Sequence, residues 1–160
     1  MGSNEVLVIG SQAIHASLDF EIREAQRSIK TDISALEDRD GSKADLIDGS
    51  IGELSIFQET YGYYAQGVTP KTATLPEDWR KRLVPYLTPG TKGVTAYCLE
   101  IHDLWLSKAV AGRPKDIEFC KSLVERDLIN SQTLCTHLKN IEKLKPETRR
   151  LVLNLIPTNQ

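Results

Sequence analysis

Four consecutive apolar residues, Val6-Leu7-Val8-Ile9, three of them β-branched, stop at a Gly10-Ser11 pair. A run this short, apolar on both faces and closed by glycine, reads as a buried strand. Ser11 is placed to cap a helix running to about Asp19, with Ala13, Ile14, Ala16 and Ser17 as its small apolar face. The chain is thus committed near its start to a strand–turn–helix unit, which needs partner strands and covering helices to bury it.

The next segments supply them. After a polar stretch from Glu21 to Arg27, Ile29, Thr31 and Ile33 alternate with Ser28, Lys30, Asp32 and Ser34, the period of a strand with one polar face. Asp38-Arg39-Asp40-Gly41-Ser42 reads as a turn into a short helix near 43–48. Further strands are expected within 61–68, within 83–87 and within 95–99; Pro85 assigns the second of these to an edge or a bulge. From Ile101 the spacing turns helical, with Ile101, Leu104, Trp105, Lys108 and Ala109 on one stripe and Gly112 as the stop. Pro114 opens another helix, and two more are expected at 131–142 and 146–156. Strands and helices mix early and helices finish the chain, an α/β (α+β) arrangement in one domain of 160 residues.

Composition narrows the function classes. A 40% hydrophobic and 26% charged chain is globular rather than disordered or coiled-coil. A net charge of −2 supplies no global attraction to nucleic acid or anionic lipid, so any such contact must come from a local basic patch. Cys98, Cys120 and Cys135 are odd in number and lack Cys-x-x-Cys spacing, which argues against a disulfide framework or structural zinc. No apolar run approaches the ~20 residues of a membrane span, and no basic-then-apolar leader is legible. The expectation is a cytoplasmic protein with no membrane partner.

Three features bear on chemistry. A Gly-Ser turn between strand and helix lets the backbone approach a phosphate, and Ser11 adds a hydroxyl donor. Asp32, on the polar face of the following strand, offers magnesium the hard oxygen it requires. Lys108, Arg113, Lys115 and Asp116 gather three cations and a carboxylate around one helix–helix junction, suited to polyphosphate. Each alone has a plainer reading: an ordinary turn, a solvated strand residue, and cations that complement a helix C-terminus.

In combination, Gly10-Ser11 followed by the Asp32 strand resembles the signature of the DNA-polymerase-beta-like nucleotidyltransferase superfamily. The run Leu99-Glu100-Ile101-His102-Asp103-Leu104, with Lys108 and Arg113-Pro114-Lys115-Asp116, is similar to the third motif of AbiEii-type toxin nucleotidyltransferases. Asp48-Gly49-Ser50-Ile51-Gly52-Glu53 through Gly62-Tyr63-Tyr64-Ala65-Gln66-Gly67-Val68 resembles a bacterial branch of small members. The likeness covers most of 6–127. It implies a mixed sheet flanked by helices in one nucleotidyltransferase-like domain, with a sheet-containing part at 1–100 and a helical part at 101–160. The implied reaction is transfer of a nucleoside monophosphate from a nucleoside triphosphate, with magnesium, to a hydroxyl of an RNA or protein acceptor, and a link to toxin–antitoxin systems implies an antitoxin partner. Gly10 and Ser11 would then hold the terminal phosphates and Asp32 the Mg2+. Lys108 would act with Asp32 in catalysis and, with Arg113, Lys115 and Asp116, line the nucleotide site.

One position departs from that pattern. The family strand carries two acids one residue apart, whereas here the triplet is Lys30-Thr31-Asp32. A lysine repels the cation that a carboxylate would hold, and no third acid falls within 83–87 or 95–99, although Glu100 and Asp103 are nearby. Two functional readings stay open: an enzyme in which another carboxylate, Glu53 or Asp45, replaces the missing ligand, or a degenerate member kept for nucleotide binding or protein interaction. In a third, blander reading the turn and the cations never meet. Of the neighbouring Tyr63 and Tyr64, one is expected in the core and the other is a candidate for stacking on a base. His15, His102 and His137 share no metal-ligand spacing and read as structural or exposed; Trp79 reads as a loop anchor. The Lys139-to-Arg150 stretch reads as a solvated helical face or a contact for RNA or protein.

Overall fold

A computed structural model describes residues 4–26, 28–36 and 40–158. The chain forms two compact units, one of Met1–Thr72 with Leu83–Leu99 and one of Ala73–Arg82 with Glu100–Gln160.

The first unit holds a five-stranded mixed sheet. Its strands are β1 (Glu5–Val8), β2 (Lys30–Ser34), β3 (Tyr64–Gly67), β4 (Val84–Tyr86) and β5 (Thr95–Cys98), in the order β3-β2-β1-β5-β4. β1 is central, antiparallel to β2 and parallel to β5. That position explains its unbroken apolar run: Leu7, Val8 and Ile9 are all buried. Pro85 lies in β4, an edge strand, where the amide it lacks breaks no inner ladder. The helices of this unit are α1 (Arg23–Gln26), α2 (Ser42–Ile51) and α3 (Ile56–Tyr61).

Several boundaries differ from expectation, each for a local reason. The helix expected from Ser11 to Asp19 is a 3-10 helix of six residues, Ser11–Ala16. Only Ala13 and Ile14 bury along it, and the Gln12 side-chain amide donates to the carbonyls of Ala25 and Ser28. Ser11 does not cap it; the capping position is Gly10, which has no side chain to do so. The strand expected within 61–68 starts only at Tyr64, because α3 takes Tyr61 and ends on Gly62 at φ 77°. Ser34, expected on a polar face, is fully buried and its hydroxyl donates to the Ala35 carbonyl. Of the expected turn before α2, Asp38 and Arg39 lie outside the described residues; Gly41, at φ 85°, precedes the helix.

β3 is the other edge strand, and α2 covers it. The Asp48 carboxylate accepts the Gly67 N–H at 2.7 Å, and a Cβ on Gly67 would run into the Ala44 carbonyl oxygen. An edge amide is thereby satisfied within the fold rather than offered to another chain.

The second unit is helical: α4 (Ile101–Ala111), α5 (Pro114–Glu125), α6 (Ser131–Lys139) and α7 (Pro146–Leu155), with a 3-10 turn at Trp79–Arg82. α4 packs against α5, α6 and α7 and buries Leu104, Trp105, Leu106 and Ala109, the pattern of a helix surrounded by others. The Trp105 indole donates to the Cys120 carbonyl at 3.0 Å and the Cys120 thiol to the Trp105 carbonyl. Gly112 ends α4 at φ 67° and Pro114 opens α5. Glu77 donates its N–H to the Asn140 carbonyl, tying 73–82 to the end of α6. Among the described residues no helix is long and apolar enough to cross a membrane.

Candidate functional site

In the first unit the structure brings the Gly10 turn and Asp32 together. The Ile9 N–H donates to the Asp32 carbonyl at 3.2 Å, which lays the end of β1 beside β2. A Cβ built on Gly10 would stand 3.0 Å from Asp32 Cβ and Cγ and closer still to Oδ2. The Gly10 backbone is extended, at φ −86° and ψ −172°, so its glycine is required by this close approach and not by backbone strain.

Lys30 stands two residues before Asp32 on the same face, and Gln66 is opposite Asp32 in the parallel β2–β3 register. The Lys30 ammonium lies 2.8 Å from Asp32 Oδ1 and donates to Gln66 Oε1 at 2.6 Å. These side chains are partly exposed, 32% for Lys30 and 23% for Asp32.

This arrangement does not fit the magnesium that the family resemblance implies. Mg2+ sits about 2.1 Å from its oxygen ligands, so an ion on Oδ1 would be within about 5 Å of this ammonium. The repulsion of a divalent and a single charge there is about 2–7 kcal/mol, from a water-like to a partly screened environment. Position 30, where the resemblance implies a carboxylate to share the ion, holds lysine, and Asp45 and Glu53, the suggested replacements, are exposed on and just after α2.

The second unit gathers Lys108, Arg113 and Asp116. Asp116, 2% exposed, accepts from Arg113 Nε at 2.5 Å and Nη2 at 3.3 Å and faces the Lys108 ammonium at 3.3 Å. Burial raises the Asp116 pKa, but Arg113 and Lys108 together outweigh it and hold the carboxyl below its ordinary value. The Lys108 and Arg113 charges expected to face a triphosphate are thus partly spent on Asp116, while Lys115 is exposed. The turn and Asp32 belong to one unit and this cluster to the other.

Sequence reading missed a further cluster in the second unit. Arg82 grips the fully buried Asp103 with two bonds, Nε to Oδ2 at 2.8 Å and Nη2 to Oδ1 at 3.0 Å. His137 Nδ1 is 3.0 Å from Asp103 Oδ1. Burial pushes the Asp103 carboxyl above its ordinary range despite Arg82. Glu100 caps α4, accepting from the N–H groups of His102 and Asp103. The Asn130 N–H donates to His102 Nε2 at 3.0 Å, and His102 Nδ1 lies 2.6 Å from Glu100 Oε1. Ligand atoms of Glu100, Asp103 and His137 lie within 4.8 Å of one another. A cation there would have to displace the Arg82 guanidinium, so the cluster reads as an internally neutralised brace between α4, α6 and the Trp79–Arg82 turn. Its members are scattered over 56 positions, from Arg82 to His137, and no local motif could have announced them.

Neither of the two neighbouring tyrosines is in the core. Tyr64 is half-buried, and Tyr63 is exposed beside Phe57 and Tyr61, with ring centroids 5.4 and 6.2 Å away. Trp79 carries Arg80 stacked 4.6 Å over its ring.

No curated protein and no solved structure gives a significant match to the chain. Residues 2–151 match a family described as nucleotidyltransferase of unknown function (DUF6036). With a mixed sheet flanked by helices and a match over nearly the whole length, the chain belongs to that nucleotidyltransferase family.

Proposed function

We propose that this family member binds a nucleoside triphosphate on its first unit, at the Gly10–Ser11 turn beside Asp32, and that it serves as a nucleotide-binding or protein-interaction module rather than a two-metal transferase. The observation that carries this reading is the Lys30–Asp32 ion pair. It stands where transfer chemistry needs two carboxylates, while the close approach of Gly10 to Asp32 keeps the phosphate-side turn intact. Polyphosphate binding needs donors and positive charge, for which the partly exposed Ser11 and the one-third-exposed Lys30 ammonium, paired with Asp32, are the candidates; transfer needs more.

The active alternative is nucleoside monophosphate transfer to an RNA or protein hydroxyl with magnesium, in a toxin–antitoxin setting with an antitoxin partner. It is favoured by the family match and by the Lys108, Arg113, Lys115 and Asp116 motif. It requires Lys30 to leave Asp32 and another acid to take its place.

Calorimetric titration with ATP, GTP, CTP and UTP tests the binding. Heat with one or more is expected, and heat with none removes the nucleotide from the function. Labelled triphosphate with total cell RNA or protein then separates the two readings: no transfer by the wild type supports the module, and transfer overturns it.

A further inference from the structure

The Lys30 ammonium has three N–H donors, and two are directed at Asp32 Oδ1 and Gln66 Oε1. Among the described residues the third has no protein partner, and the side chain is about one-third exposed. The ammonium is anchored by two strands rather than waving from a surface. β2 carries both Lys30 and Asp32, and the β2–β3 register places Gln66 opposite Asp32. Gly10 closes the far side of the same carboxylate, against Oδ2. A carboxylate with one oxygen on an ammonium and the other against backbone has its cation already.

We infer that Lys30 is a built-in counter-ion that occupies the cation position at Asp32, so that this chain takes a nucleotide polyphosphate in its metal-free form, on the Lys30 ammonium. Asp32 is then a positioning residue. With Gln66 it aims the lysine, and its own charge is neutralised so that an incoming phosphate is not repelled. The ligand part of this inference rests on the nucleotide reading above; the statement about the cation does not.

The test therefore has two arms. In the first, MnCl2 alone is titrated into the full chain and followed by electron paramagnetic resonance. The wild type is expected to leave Mn2+ free. Lys30→Asp, which restores two acids one residue apart, is expected to bind Mn2+ and to lose it again in Lys30→Asp/Asp32→Asn. Uptake by the wild type that Asp32→Asn abolishes would overturn the inference, and this measurement needs no variant at position 30 to fold. In the second arm, ATP is titrated in Mg2+ and in EDTA. Wild-type affinity is expected to agree within about twofold between the two, and Lys30→Gln to weaken it about tenfold or more in EDTA, the loss of one charge-assisted hydrogen bond. ATP binding that disappears in EDTA refutes the inference. ATP that binds under neither condition refutes the nucleotide reading, and the manganese arm still decides whether Lys30 holds the cation position.

Discussion

Gly10→Ala sets two effects of opposite sign against each other. The Gly10 backbone, at φ −86° and ψ −172°, is comfortable for any residue. By chain entropy alone alanine should stabilise the fold by about 0.4–1 kcal/mol. The added methyl, however, would stand 3.0 Å from Asp32 Cβ and Cγ and nearer to Oδ2. Asp32 Cβ is one bond from the backbone and moves little by rotamer change, so strands β1 and β2 must separate or the Lys30–Asp32 pair must break. Overpacking of that kind costs about 1–3 kcal/mol, and the steric term wins. The two ranges leave a net loss of about 0–2.6 kcal/mol, and about 1.3 kcal/mol at their midpoints. Gly10→Ala/Asp32→Ala should recover part of it, because the colliding carboxylate is gone while the Asp32 Cβ, 3.0 Å from the new methyl, remains. The assay is urea unfolding followed by far-ultraviolet circular dichroism. Tryptophan emission is the wrong probe, because Trp79 and Trp105 both belong to the helical unit. A Gly10→Ala protein as stable as the wild type, or a double variant no better than the single, would refute the close contact and with it the convergence of turn and acid.

Other outcomes follow from the same structure. Arg82→Met should cost about 3–5 kcal/mol in urea unfolding by stranding the buried Asp103 charge, whereas Arg82→Met/Asp103→Leu should recover most of that loss. Asp116 is held below its ordinary value of 3.8 in the folded chain, so as pH falls the unfolded chain takes up its proton first; the stability it contributes is full above about pH 4–5 and is lost as pH drops through the lowered value. The difference in urea midpoint between wild type and Asp116→Asn should therefore hold from about pH 7 to about pH 5 and shrink as pH falls below that. Burial pushes the Cys98 thiol up to about 11 and Cys120 up to about 12, the latter aided by Asp116. At pH 8 iodoacetamide should therefore modify neither in the folded chain and both in urea, as read by peptide mass spectrometry. Gly67→Ala should lower stability by about 1–3 kcal/mol, because its methyl meets the Ala44 backbone oxygen, which no rotamer can move.

What the sequence by itself determined is what depends on neighbours in the chain. The β-branched run 6–9 forced a buried strand, the alternation at 29–34 a second one, Pro85 an edge or a bulge, and Gly112-Arg113-Pro114 the break between two helices. Each follows from backbone sterics or side-chain period. The Lys30-Thr31-Asp32 triplet, which the family resemblance sets against a pair of acids, was equally legible, since it needs only the spacing of two side chains on one face of a strand. Tertiary structure alone decided the rest. Gln66 reaches Lys30 through the β2–β3 register, which no single segment specifies, and Gly10 must be glycine because of where the Asp32 side chain lies. Arg82, Asp103 and His137 come from three separate segments to share one buried charge. A carboxylate's partners are whichever groups the packed chain leaves within about 3 Å, and sequence order does not carry that distance.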